Sequence, residues 1–248
     1  MSEIVHSKAI FLHATKTGES SLVLHTIDRN FGRQSLYLRN AKKSKNSAAL
    51  SYFFSLNIIN TIISAPKKGS MYYLKEFDSD VKLHSIRSDI YKSSIAMYIS
   101  ELLYRTYQEE SGDSQFFDWL YQEIVTLDSL ESNFANFHLI FTLEYCKKLG
   151  FAPLNNYSSE NCIFDVAKAQ FISEKESLIN SNNLHFSKAN SLLLHEMCSN
   201  NFLENLATPL CGFERYNFTT DLIKYIGFHL EYNLNIKSLS VLHEVLSN

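Results

Sequence analysis

The chain has 248 residues and a formal net charge of −3, with 45% hydrophobic and 20% charged residues, the composition of an ordinary globular protein that buries a real core. No apolar run approaches the roughly 18 residues needed to cross a bilayer, and seven Gly and three Pro leave little for long flexible linkers. The opening MSEIVHSKAIFLHAT carries an acid where a secretion signal carries positive charge, so a cytoplasmic protein is expected.

The first 80 residues read as short strands separated by turns. Lys8 to His13 is one strand, and Ser21 to Ile27 (SLVLHTI), rich in β-branched and apolar residues, is a second. Asp28-Arg29-Asn30-Phe31-Gly32 makes a turn in which Gly32 supplies positive φ. Gln34 to Arg39 returns as a strand, Tyr52 to Ser64 is a long β-rich run, 66–69 is a turn, and Met71 to Phe77 is a fifth strand. Five short strands in about 80 residues predict a small closed antiparallel barrel of the OB type.

Beyond residue 85 the apolar period becomes helical. Tyr91, Ile95, Tyr98 and Leu102 share one face of a helix from about Ile86 to Tyr107. Asp113 caps a second helix, and Ser132 a third that is apolar nearly all round and is therefore central; Gly150 and Pro153 stop it. Residues 154–186 are polar and irregular, a module that holds a short hairpin at Ile163 to Phe171. Helices resume at Ser187 to Asn200, Thr219 to Tyr232 and Lys237 to Leu246. The fold class is α+β: an OB-fold nucleic-acid-binding domain over 1–80, then a helical domain over 81–248 with the inserted module at about 154–186.

Charge divides the chain at the same place. Residues 1–80 hold 11 Lys/Arg against 6 Asp/Glu, whereas 81–248 hold 12 against 20. From Arg29 through Lys75 there are nine basic residues and no acid. Motif spacing does not indicate an enzyme: there is no GxGxxG, Walker loop, HExxH or GxSxG. Cys146, Cys162, Cys198 and Cys211 lack the close pairing of a structural zinc site. What stands out is the basic segment. Lys and Arg on a curved β-surface displace counterions from phosphates, and aromatic rings give bases a stacking platform. Arg33, Tyr37 and Arg39 alternate along one strand and project from one face, with Leu36 and Leu38 on the other. The predicted nucleic-acid contacts are Arg29, Arg33, Tyr37, Arg39, Lys42, Lys43 and Lys45, extended by Lys67 and Lys68 in the next turn. A merely solvated lysine loop is the plain alternative. The aromatic residues of the helical part, such as Phe116, Phe117 and Phe141, read as core.

The segment GESSLVLHTIDRNFGRQSLYLRNAKKSK resembles the opening of the bacterial RecO recombination-mediator family, in which a turn ending in Gly-Arg and a strand lead into a basic loop. The likeness continues through ISELLYRTYQEESGDSQFFDWLYQEI, NFHLIFTLEYCKKLGFAP and KSLSVLHEVLSN, in the style of the Bacteroidetes members. The resemblance implies an N-terminal OB-fold and a helical domain with a small insert. It implies binding of single- and double-stranded DNA, annealing of complementary strands, and recombinase loading together with RecR on strands covered by single-stranded-DNA-binding protein, whose C-terminal tail is a further partner. Its DNA contacts would fall on Arg29, Arg33, Arg39, Lys42, Lys43 and Lys45. Many members follow the GFAP-like motif with paired zinc cysteines; here only Cys162 follows. No cofactor is therefore expected, and the insert packs around Phe164 and Phe171 instead. Two other functional classes fit the residues: a protein–protein adaptor working through the helical domain, and an RNA-binding OB protein.

Overall fold

The computed structural model describes residues 4–41, 47–64, 71–180 and 183–247, the side chains of 47–49 apart. The chain divides into two compact units, Met1–Leu130 and Glu131–Asn248. Strand gives way to helix near residue 80, but the first unit runs on to Leu130, because three helices belong to it.

Five strands build this unit: β1 (Ile4–Thr17), β2 (Ser21–Asp28), β3 (Gly32–Leu38), β4 (Ile58–Ser64) and β5 (Tyr72–Ser79). They close into a barrel in the order β1-β2-β3-β5-β4, an OB-type barrel. The expected all-antiparallel pairing is corrected at one seam. An odd number of strands cannot alternate direction all round a closed ring, and β3 and β5 run parallel through Leu36↔Tyr72 and Tyr37↔Tyr73. Leu24, Leu36 and Ile63 are wholly buried inside, packed with Phe11 and Leu74.

Two bulges re-aim side chains. On β1, Phe11 faces Thr26 and His13 faces His25, so Leu12 is the extra residue. On β5, Leu74 faces Ile63 and Glu76 faces Ile62, so Lys75 is the extra residue. Between β3 and β4, the run expected as strand from Tyr52 starts only at Ile58. Ser47–Tyr52 is a 3-10 turn, Leu56 sits at φ +64°, and the buried Asn57 amide donates to Tyr52 O at 2.7 Å.

Helices α1 (His84–Ser88), α2 (Ile90–Thr106) and α3 (Ser114–Ser129) complete the unit. The continuous helix expected from Ile86 is broken at Asp89. Its backbone is extended, and its carboxylate accepts from Tyr91 and Lys92 N–H, an N-cap that restarts the helix. Asp113 caps α3 as expected, accepting from Phe116 N–H at 2.9 Å. The turn between β2 and β3 lies against the α2–α3 loop. Gly32 has φ +69°, and a Cβ there would collide with the carbonyl oxygens of Glu109 and Ser111.

In the second unit, the expected Ser132 cap is replaced by Asn133 in the left-handed region and a 3-10 turn, Phe134–Asn136. Then comes α4 (Phe137–Lys148), buried on nearly all sides and stopped by Gly150 at φ +88°. A hairpin follows, β6 (Asn161–Asp165) and β7 (Gln170–Ser173), then α5 (Glu174–Ile179), α6 (Lys188–Ser199), α7 (Phe202–Ala207), α8 (Gly212–His229) and α9 (Ser238–Leu246). Phe164 meets Phe171 at 5.2 Å and Phe186 at 5.1 Å, and its third neighbour, Tyr225 of α8 at 5.5 Å, ties the hairpin to the helices. Helix α8 begins two turns before the expected Thr219, because its polar opening is held by the Glu214 carboxylate accepting from Cys211 N–H at 2.8 Å. Among the described residues, no helix is long and apolar enough to cross a membrane.

Candidate nucleic-acid interface

The cations of the first unit sort into two sets. One set is spent inside the protein. Arg29, in the β2–β3 turn, donates through Nε and Nη2 to both oxygens of Asp118 on α3, at 3.0 and 2.9 Å. That hydrogen-bonded pair raises the Arg29 pKa and lowers that of Asp118. Lys8 pairs with Asp80 at 2.8 Å. Arg33 is half-buried. Its Nη1 donates to Tyr104 O at 2.7 Å and Tyr107 O at 3.0 Å, and its guanidinium lies 4.7 Å from the centre of the Tyr104 ring. These carbonyls lie at the C-terminal end of α2, where a helix presents acceptors and negative potential to a cation. Arg29 and Arg33, two of the predicted nucleic-acid contacts, thus also hold the β2–β3 turn against the helices.

The other set faces outward across the parallel seam. Register puts Tyr37 beside Tyr73, and their rings meet edge-to-face at 5.6 Å. Arg39 lies over the Tyr73 ring at 4.7 Å and Lys75 over the same ring at 5.9 Å. Both cations are exposed and both tyrosines half-buried. Among the described residues, neither Arg39 nor Lys75 enters an ion pair. Two cations on one tyrosine, beside a second tyrosine, offer a phosphate its counter-charges and a base its stacking partner on the same patch. Tyr37 and Arg39 are thus brought together as expected. Lys42, Lys43, Lys45, Lys67 and Lys68 lie outside the described residues. Tyr73 and Lys75 were not in the predicted set, although MYYLKEF signals them: residues two apart on a strand share a face, and only the pairing of β5 with β3 was hidden.

Beyond this patch, the outer face of the barrel carries a ring cluster where α2 meets it. The bulge at Leu12 turns His13 outward, while Phe11 and Ala14 both stay with the core. His13 stacks on His25 at 6.1 Å with 13° between planes, and Tyr104 meets them at 5.0 and 5.1 Å. His25 Nε2 and Nδ1 each lie 3.1 Å from a hydroxyl, those of Thr15 and Ser35. Burial first, then the Arg33 guanidinium and His13, lower the His25 pKa.

Comparison with known proteins bears on this architecture. Residues 1–79 match the family model for the recombination protein O N terminal region, and residues 87–209 match that for the recombination protein O C terminal region. A DNA repair protein RecO of Flavobacterium psychrophilum is 32% identical over 250 residues, covering 98% of this chain and 99% of the relative. The chain belongs to the recombination protein O family. Other RecO relatives include those of Bacteroides fragilis, 30% identical over 95% of this chain and 96% of the relative, and Azobacteroides pseudotrichonymphae, 26% identical over 96% and 98%. The RecO resemblance read from the sequence is thus borne out along nearly the whole chain. So is the OB-type barrel that precedes the helices.

Proposed function

We propose that this RecO-family protein is a non-enzymatic DNA repair mediator of the RecF pathway that binds single- and double-stranded DNA and anneals complementary strands. In this reading it works with RecR to load recombinase onto strands coated by single-stranded-DNA-binding protein, whose C-terminal tail is its other partner. Residues 1–80 are the nucleic-acid-binding domain, and 81–248 the helical domain with its inserted module at about 154–186. The relatives carry the name of DNA repair proteins. The observation that carries the reading is the outward patch of Arg39 and Lys75 over Tyr73, with Tyr37 beside it. Lys42, Lys43 and Lys45 follow Arg39 in the chain, and in this reading they serve the same patch. Annealing needs no bond made or broken. Screening the phosphates of two strands lowers their repulsion, and weak mobile contacts let bases search for partners.

The test is annealing of complementary oligonucleotides precoated with single-stranded-DNA-binding protein, without added nucleotide, alongside fluorescence anisotropy across a salt series. Arg39, Lys42, Lys43, Lys45, Lys67, Lys68 and Lys75 give up to seven phosphate contacts. The log–log salt slope for a single strand is then roughly −3 to −5. Arg39→Glu with Lys75→Glu weakens binding at least tenfold and makes that slope shallower, while the melting temperature stays within about 2 °C, since both side chains are exposed. A flat salt series, or unchanged affinity in the double variant, sinks the proposal. Tighter binding to a matched RNA moves the function to RNA.

A further inference from the structure

We propose that His13, His25 and Tyr104 form a second base-stacking position, which receives a nucleobase of single-stranded DNA beyond the Tyr37–Tyr73 patch. This rests on the reading of the barrel face as the DNA surface and names a contact that no basic-residue pattern reveals.

Three observations carry it. Of the three rings, His13 is aimed outward by a specific device, the extra residue at Leu12. Without that residue, His13 would share the inward face of Phe11. The three rings are also held rigid, which lowers the cost of ordering them when a base arrives. His25 is fixed by two hydroxyls, Tyr104 is braced by Arg33, and the bulged Leu12 carbonyl accepts from Ser100 Oγ at 2.7 Å. Finally, the spacing suits a strand. Register sets His13 and His25 across from Ser35, and Thr15 and Val23 across from Tyr37. The histidine row is therefore two residues along from the tyrosine row, about 7 Å, enough for two bases at the 3.4 Å stacking repeat. Within the tyrosine row, the small side chains Thr15 and Val23 lie beside Tyr37.

The experiment uses the full chain and an oligonucleotide carrying 2-aminopurine at successive positions, with affinity followed across a salt series. His13→Ala, at an exposed position, and Tyr104→Leu each weaken single-strand binding about five- to thirtyfold. Each also removes the fluorescence quenching at one position of the probe, and leaves the salt slope unchanged because no cation is lost. Tyr104→Phe, which keeps the ring, restores both readouts. Wild-type affinity and quenching in His13→Ala and Tyr104→Leu overturn the proposal. So does a loss accompanied by a shallower slope, which marks a charge contact, or a failure of Tyr104→Phe to restore binding. If the parent protein does not bind at all, the reading of the barrel face fails first. If it binds and only these variants are silent, the stacking position alone fails.

Discussion

Lys92 is 2% exposed, an uncommon place for an ammonium group. Its Nζ donates to Ser85 Oγ at 2.7 Å, to Asp128 O at 2.9 Å and to Leu130 O. The last two are carbonyls at the end of α3, which the helix leaves without partners. Lys92→Met keeps the stem but strands those acceptors in the interior. Relief of the buried charge offsets only part of this, so stability falls by about 2–3 kcal/mol, read as a lower urea midpoint at unchanged slope. Such local chemistry divides by reach. The caps at Asp113 and Ser187 act within three residues, and their residue types announce them. The Arg29–Asp118 pair joins positions 89 apart, and Arg33 reaches carbonyls more than 70 positions away. A run without acids therefore looked uncompensated in the linear chain, although its first arginine finds a carboxylate and its second finds the end of a helix.

Among the elements, the β2–β3 hairpin is bound closely to its surroundings. Arg33 N–H donates to Glu109 O at 2.6 Å, and Gly32 and Gly112 let two backbones touch where a Cβ would not fit. Gly32→Ala meets both positive φ and backbone oxygens that cannot yield, and costs about 3 kcal/mol or more. Gly18→Ala, also at positive φ but with open space around it, costs only about 1–2 kcal/mol. Thermal melts of the two variants separate strain from collision; equal shifts contradict the close approach. Strand β2 was legible because its alternation has no competing period. The starts of β4 and α2 were not. Ile58 follows an apolar stretch whose path is set by Leu56 and by the buried Asn57 amide, and the period of α1 runs into that of α2 with only the Asp89 cap between them. The bulges at Leu12 and Lys75 were invisible for a related reason, since an extra residue has meaning only against a partner strand.

At the scale of the whole molecule, the residues of the first unit, 1–130, carry 15 basic and 14 acidic side chains, and those of the second, 131–248, carry 8 and 12. The positive character belongs to the barrel and is nearly cancelled within its own unit, so on the proposed reading attraction to DNA is expected to be short-ranged and steeply salt-dependent rather than a long-range pull. Acid acts on the second unit through His138 of α4. It is fully buried with Nε2 3.1 Å from Thr219 Oγ1, and burial, then Arg215, pushes its pKa down to about 3. The unfolded chain takes up a proton near pH 6.5 that the folded one refuses. The stability contribution is therefore complete above that pH and declines as pH falls toward 3, by about 2 kcal/mol at pH 5. His138→Asn removes this part of the decline between pH 7 and 5 in denaturant titrations; an identical pH profile in the variant rules the histidine out. The seam where β3 meets β5 has one last consequence. It is the ring's clasp: among the described residues its register is two pairs, Leu36↔Tyr72 and Tyr37↔Tyr73, against seven where β1 meets β4. A strand of DNA laid across Tyr37 and Tyr73 would sit on top of that clasp and fasten it, making the ligand a buckle for the barrel that holds it.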